Sequence, residues 1–391
     1  MKKLLTILFS VLILPSAFPQ FAVNGVVTSN SIVPWAAVTN NPSVAIAMFS
    51  HFNAVVAKMP TQSNAVIIAC LGDSTTAGVG ATTNVSTNYF NMAANSYPSQ
   101  LAGILSSYGL PAVNGAIVGQ GVPRGFSVAQ EIVADPRLAA TNFGFYTNIN
   151  TLAGYLWYST NAGTLAFTPT NSWDSCRVYY ATGIAGSGNL SVSLGTNSPV
   201  TFSQTGSTNF TNTGIITKAL GVGAVTITGT GNVNFLAIDT WDSTHPAIHV
   251  MNCGIASEGA GQLSDTSSLA NSQAIRALSP DLAIVNIGIN DANISEPASQ
   301  YQGYLQTIVT NASASGNVIV STWMPNSSTS ISYNQAMQYI AEKYGAAFLD
   351  QGIYFGNYAS VTNNGLIYDT THPNIAGCNQ FARDIARALT Y

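Results

Sequence analysis

The chain has 391 residues, of which only 7% are charged, against roughly 25% in an ordinary soluble domain. Eleven Lys and Arg face fifteen Asp and Glu, for a net charge of −4 with no long run of either sign. Such a chain has no basic patch to neutralise phosphates, so no nucleic-acid partner is expected. Its length allows about two domains. Four cysteines (Cys70, Cys176, Cys253, Cys378) are too few for a disulfide framework. Cys70 and Cys253 fall in or beside apolar runs, where a free thiol behaves as a small hydrophobe.

The first twenty residues read as a secretory signal peptide: Lys2-Lys3, an apolar core from Leu4 to Leu14, then Pro15-Ser16-Ala17. That core is too short for a spanning helix, and no later stretch is long and apolar enough to be one. The protein is therefore expected to be exported, secreted or periplasmic, without an integral membrane span. An uncleaved N-terminal anchor is the other reading. Residues 43–58 have a helical apolar face (Val44, Ala47, Met48, Phe52, Val55). The run Ala65 to Leu71 then has the length and flanks of a buried strand. It stops at Gly72-Asp73-Ser74, which places Ser74 where open α/β sheets hold their ligands. Serine is a weak nucleophile until a base takes its proton.

Pro98 to Tyr108 reads as a helix and Ala112 to Val118 as a strand ending in Gly119. From residue 145 to 247 the texture changes to short β-type runs with turn residues about every ten positions: Arg177–Tyr180, Leu190–Leu194, Pro199–Phe202, Ala224–Thr228 and Val233–Ile238. That pattern predicts an all-β sandwich or jelly roll inserted into the chain. Strand and helix periods then alternate again. Strands are expected at 248–253, 282–287, 318–323 and 346–349, and helices at 267–278, 297–311, 333–344 and 374–389. Alternation of this kind predicts a parallel sheet covered on both faces, divided as residues 21–144 and 248–391.

Three further segments fall at the ends of predicted strands: Asn252-Cys253-Gly254-Ile255-Ala256-Ser257-Glu258-Gly259, Asn286-Ile287-Gly288-Ile289-Asn290-Asp291 and Asp369-Thr370-Thr371-His372-Pro373. With Gly72-Asp73-Ser74 they resemble, in order and placement, the four blocks of the SGNH or GDSL-type hydrolases. The resemblance covers residues 60–125 and 248–391 and implies a flavodoxin-like three-layer α/β/α fold with esterase activity and no cofactor. Ser74, His372 and Asp369 are the residue types that ester cleavage requires as nucleophile, base and orienting carboxylate. By resemblance, the oxyanion donors are the Ser74 N–H, the Asn290 amide and a backbone N–H of the second block. That last donor is Ser257 if the block is counted without a gap, or Gly259 with a two-residue insertion. A rival block, Asn114 to Gly119, fits the gapless spacing. Asp73 and Asp291 are expected to hold loops and caps.

The sequence also repeats the Asp-x-x-His-Pro pattern at Asp242 to Pro246, before a predicted strand rather than a helix, and His245 is expected to be structural. The four histidines are scattered and no metal signature emerges. The expected substrate is an acylated carbohydrate, above all an O-acetyl ester, or another small ester. Trp157, Trp173 and Trp241 could stack on sugars or sit in the β core. A lipase-like or lysophospholipid esterase, an acyltransferase and a catalytically idle adhesion protein are the alternatives.

Overall fold

The computed structural model describes residues 26–28, 31–33, 49–59, 65–83, 89–119, 127–160, 162–184, 188–267, 269–322, 328–351 and 355–390. The expected signal peptide and residues 43–48 of the first expected helix lie outside the described residues.

Six parallel strands form the central sheet: β1 (Val66–Gly72), β2 (Ala112–Val113), β3 (Ile248–Gly254), β4 (Leu282–Asn286), β5 (Asn317–Ser321) and β6 (Ala347–Leu349). Their spatial order is β6-β5-β4-β1-β3-β2. All seven residues of β1 are buried, as a strand covered on both faces must be, which is why it reads as an unbroken apolar run. Its register with β3 pairs Gly72 with Gly254, and its register with β4 pairs Gly72 with Asn286. The carboxyl ends of the three strands are therefore level.

Helices cover both faces. On one, α1 (Ser50–Lys58), α3 (Tyr97–Ser107) and α10 (Ile375–Thr390) bring Phe52, Leu101, Leu105, Phe381 and Ile385 against Ile68, Cys70, Val250 and Ile284. On the other, α5 (Asn271–Leu278), α7 (Ala298–Ser313) and α8 (Ser328–Tyr344) pack Ile275, Leu305, Ile308, Met337 and Ile340 on Leu71, Cys253, Val285 and Val320. The short turns between these layers are α2 (Ser74–Ala77), α4 (Ala260–Leu263), α6 (Ile289–Asn293) and α9 (Tyr358–Asn363). Connections from β1 and from β4 leave in opposite directions, so a crevice opens between their carboxyl ends.

The antiparallel part consists of two five-stranded sheets and a three-stranded one. Trp157, Phe167, Trp173, Leu190, Val225 and Ile238 fill its core. It begins earlier than residue 145. Leu138–Thr141 pairs with Thr164–Phe167, and Ala116–Val118 pairs with Ala237–Trp241. The expected single strand over 112–118 is thus two. Ala112–Val113 joins the parallel sheet, the chain turns at Asn114-Gly115, and the remainder enters the antiparallel one. Gly115 permits this because a Cβ there would lie 2.5 Å from the Thr240 carbonyl oxygen. The run 233–238 also divides, at Leu236, between two sheets.

The β part is not detached from the α/β part. Leu152, Tyr179, Phe210 and Leu236 share one apolar cluster with Met251, Ile255 and Ile275. At the same junction His249 of β3 and Asp239 of the strand Ala237–Trp241, both buried, meet at 2.7 Å between Nδ1 and Oδ1. All four cysteines are free and buried.

Candidate active site

Ser74 is the first residue of α2, so its N–H belongs to the first turn and has no carbonyl of its own helix to bond. Asp73 caps that turn. Its carboxylate accepts from the Thr75 N–H at 2.9 Å and from the Thr75 hydroxyl at 2.7 Å. Burial pushes the Asp73 carboxyl up to about 6, against the lowering effect of those bonds. Gly78 closes α2 with φ +100°, its N–H bonded to the Ser74 carbonyl.

The third and second blocks hold α2 from either side. Asn286, fully buried at the end of β4, donates from Nδ2 to the hydroxyls of Thr75 and Thr76 at 2.9 Å each. Asn252, at the end of β3, donates to the Ala77 carbonyl at 3.2 Å while its own oxygen receives the Gly254 N–H. These two asparagines have no role in the sequence reading. The signal was present: an amide closing an otherwise apolar buried strand must find partners there.

The fourth block meets the serine. Between β6 and α10 the chain turns at Asp369, whose Oδ1 accepts the N–H groups of Thr371 and His372 at 2.7 Å each. Its Oδ2 lies 2.8 Å from His372 Nδ1. His372 Nε2 then lies 2.9 Å from Ser74 Oγ, across 298 positions of sequence. Burial would raise the Asp369 carboxyl, but the bonds from His372 and Thr371 and the charge of the imidazole outweigh it and hold it below its ordinary value. Gly80 makes room for this turn. With φ +88°, it lies so close that a Cβ would sit 2.8 Å from His372 Cβ and 2.9 Å from the Pro373 carbonyl oxygen.

Asn290, in α6, donates from Nδ2 to the Glu258 carbonyl at 2.7 Å, which leaves its second N–H for another acceptor. Asp291 accepts the Ala260 N–H through both carboxylate oxygens, at 2.9 and 3.0 Å, and so caps α4. Second and third blocks are thereby locked together. Within the second block the Gly259 N–H is occupied by Gln262 Oε1 at 3.1 Å. Ser257 is exposed, takes φ +67°, and its N–H has no partner among the described residues. In the rival block the Gly119 N–H bonds the Leu236 carbonyl at 2.6 Å within the antiparallel part.

Asp242 and His245 make a pair of their own, 2.8 Å between Oδ2 and Nδ1. The imidazole is 82% exposed, and the structure does not bring it to Ser74. Trp157, Trp173 and Trp241 are all buried in the β part, so stacking on sugars finds no support in them. Among the described residues no group of three or more His, Cys, Asp and Glu is placed to hold a metal.

Residues 221–379 match the family model described as GDSL-like lipase/acylhydrolase. The match spans Ser257, Asn290, Asp369 and His372 and leaves Ser74 outside, on the far side of the β part. No curated protein matches the sequence. Among solved structures, one titled "Peptidoglycan O-acetylesterase in action" superimposes with TM-score 0.64 at 16% identity, over 87% of this chain and 95% of that one. A family two carbohydrate esterase from Cellvibrio japonicus is similar at TM-score 0.29 and 11% identity, over 70% of this chain and 96% of that one. A structure titled "Structure of a putative lipolytic protein of G-D-S-L family from Desulfitobacterium hafniense DCB-2" gives TM-score 0.32 at 20% identity, over 36% of this chain and 82% of that one.

Proposed function

From the premise that the chain carries a GDSL-like lipase/acylhydrolase domain and is a carboxylic ester hydrolase, we propose that it is an exported serine esterase. It removes O-acetyl or other short O-acyl groups from a carbohydrate. The observation that carries this reading is the line of contacts from Asp369 Oδ2 to His372 Nδ1 (2.8 Å) and from His372 Nε2 to Ser74 Oγ (2.9 Å).

His372 Nε2 takes the hydroxyl proton as Ser74 Oγ bonds to the acyl carbonyl carbon, and Asp369 stabilises the resulting imidazolium. The imidazolium returns the proton to the leaving sugar oxygen as its bond to the acyl carbon breaks. Water then attacks the acyl-serine, His372 takes its proton, and the carboxylic acid leaves as Ser74 is restored. The Ser74 N–H, the second Asn290 N–H and the Ser257 N–H receive the oxyanion. Losing one such donor typically costs about 10²–10³ in rate. Ser257 is preferred over Gly259 because the Gly259 N–H is already committed to Gln262.

The carbohydrate part of the reading draws on the likeness to a structure titled as a peptidoglycan O-acetylesterase. Export draws on the Lys2-Lys3 and Leu4–Leu14 leader. Among the described residues no helix is long and apolar enough to cross a membrane. The deciding experiment compares wild type with Ser74→Ala on p-nitrophenyl acetate, then on acetylated polysaccharides beside longer-chain esters. Acetate release from the polysaccharides, abolished by Ser74→Ala, is the expected result. Equal rates for the two proteins would remove the serine esterase reading, and preference for long chains would replace the carbohydrate with a lipid.

A further inference from the structure

A polar side chain of the antiparallel part reaches the second block. Asn150 lies near the end of the strand Gly144–Thr151, and its Nδ2 is 2.8 Å from Oε1 of Glu258. Glu258 is fully buried, follows Ser257 directly, and offers its backbone carbonyl to Asn290 Nδ2 at 2.7 Å. One residue of the second block is thus held at both ends, by its side chain from the β part and by its carbonyl from α6.

The strand carrying Asn150 is irregular at this point. Tyr146 pairs with Leu156 and Asn150 with Tyr155, so residues 147–149 have no counterparts on the neighbouring strand. A bulge of this kind bends its strand and re-aims the side chain that follows it. The amide oxygen of Asn150 is buried with no partner among the described residues, an arrangement that costs free energy. Stability of the β part alone gives no reason for an amide here, whereas its N–H meets the one buried carboxylate of the second block.

We propose that Asn150 is a positioning residue for ester hydrolysis: through Glu258 it sets the 257–260 backbone, and with it the Ser257 N–H and the Asn290 amide. The β part is then a component of the oxyanion-binding apparatus. This inference rests on the assignment of Ser74 as nucleophile, and the experiment separates the two.

Steady-state hydrolysis of p-nitrophenyl acetate is measured for wild type, Ser74→Ala, Asn150→Ala, Asn150→Asp, Asn148→Ala and the double variant Asn150→Asp/Glu258→Gln. Asn150→Ala is expected to lower kcat about tenfold with KM unchanged, a partial loss of a donor's full effect. Asn150→Asp sets two carboxylates against each other and is expected to lower it further. In the double variant the amide introduced at position 258 donates to the carboxylate introduced at position 150. The bond is restored with its direction reversed, and kcat returns to within about threefold of wild type. Asn148, exposed in the same bulge, serves as the control and its variant keeps the wild-type rate. An unchanged kcat in Asn150→Ala, or a double variant no better than Asn150→Asp, overturns the positioning role. If Asn150→Ala does not fold, the comparison of the double variant with Asn150→Asp decides alone. A Ser74→Ala protein that keeps full activity overturns the nucleophile assignment instead.

Discussion

Asp369–His372 and Asp242–His245 are built alike. In each, one carboxylate oxygen accepts a threonine N–H (Thr371 at 2.7 Å, Thr244 at 2.8 Å) and the other meets the imidazole Nδ1 at 2.8 Å. They differ in what faces Nε2: Ser74 Oγ at 2.9 Å for His372, and for His245 a largely solvent-exposed ring. His372→Ala is therefore expected to lower kcat by about 10⁴-fold. His245→Ala, an exposed change remote from the serine, should stay within about twofold. Assays of both variants on one chromogenic ester check this, and the reverse ranking would move the base. The two motifs share the pattern Asp-x-Thr-His-Pro, and it is the element that follows each, a strand after 245 and α10 after 372, that separates them in the sequence. The choice between Ser257 and Gly259 was not legible at all, because it depends on Gln262 reaching back to the Gly259 N–H. Since Ser257 takes φ +67°, Ser257→Gly should keep kcat within a few-fold. Ser257→Val, with a β-branched side chain at positive φ, should lose activity and stability together.

The elements around the site are short, and glycine and asparagine set their spacing. Gly80→Ala would force a Cβ to within 2.8 Å of His372 Cβ and strain a backbone at φ +88°. The expected result is a fall in kcat well beyond what the change in Tm accounts for, measured by pairing thermal melts with initial rates. The alternation of strands and helices in the α/β part was readable because buried parallel strands are continuous apolar runs and its helices carry an apolar stripe. Apart from the first expected helix, whose residues 43–48 lie outside the described residues and which is seen from Ser50, all but one of the expected helices recur within about four residues at either end, α8 beginning five residues early at Ser328. The antiparallel part was readable as a texture but not as a list of strands. Gly144–Thr151 and Asn209–Asn212 are dominated by polar and small residues. Ala112–Val118 was misjoined because apolarity does not encode which sheet a strand enters. That information lies in the turn at Asn114-Gly115 and in a partner strand, Ala237–Trp241, more than a hundred residues away.

Across the whole molecule, three buried carboxyls among the described residues, Asp73, Asp291 and Asp384, are raised by burial and respond to pH in the direction opposite to surface acids. Burial pushes Asp384 up to about 7, despite Arg387 and Gln380, and Asp73 to about 6, from an ordinary value of 3.8. Between 3.8 and those values the folded chain holds more protons than the unfolded one. The stability these groups allow is therefore greatest in acid and declines as pH rises, by up to about 1.4 kcal/mol per pH unit for each group within its window. Melts from pH 4 to 8 should show Tm falling, and Asp384→Asn should flatten the decline. Asp369 works the other way, losing its contribution only below 3.8. Because all four cysteines are buried free thiols, with Cys70 and Cys378 pushed up to about 12 by burial, Tm should not change with added reductant. The central strand β1 has as its two neighbours strands that come some 180 and 210 residues later, and the hydroxyl that follows it meets its imidazole only after 298 positions. Contacts so remote in sequence form late. With the proposed triad, a nascent polypeptide carries its reactive oxygen from the outset yet lacks the base that activates it until α10 docks, so ester hydrolysis would report completed folding.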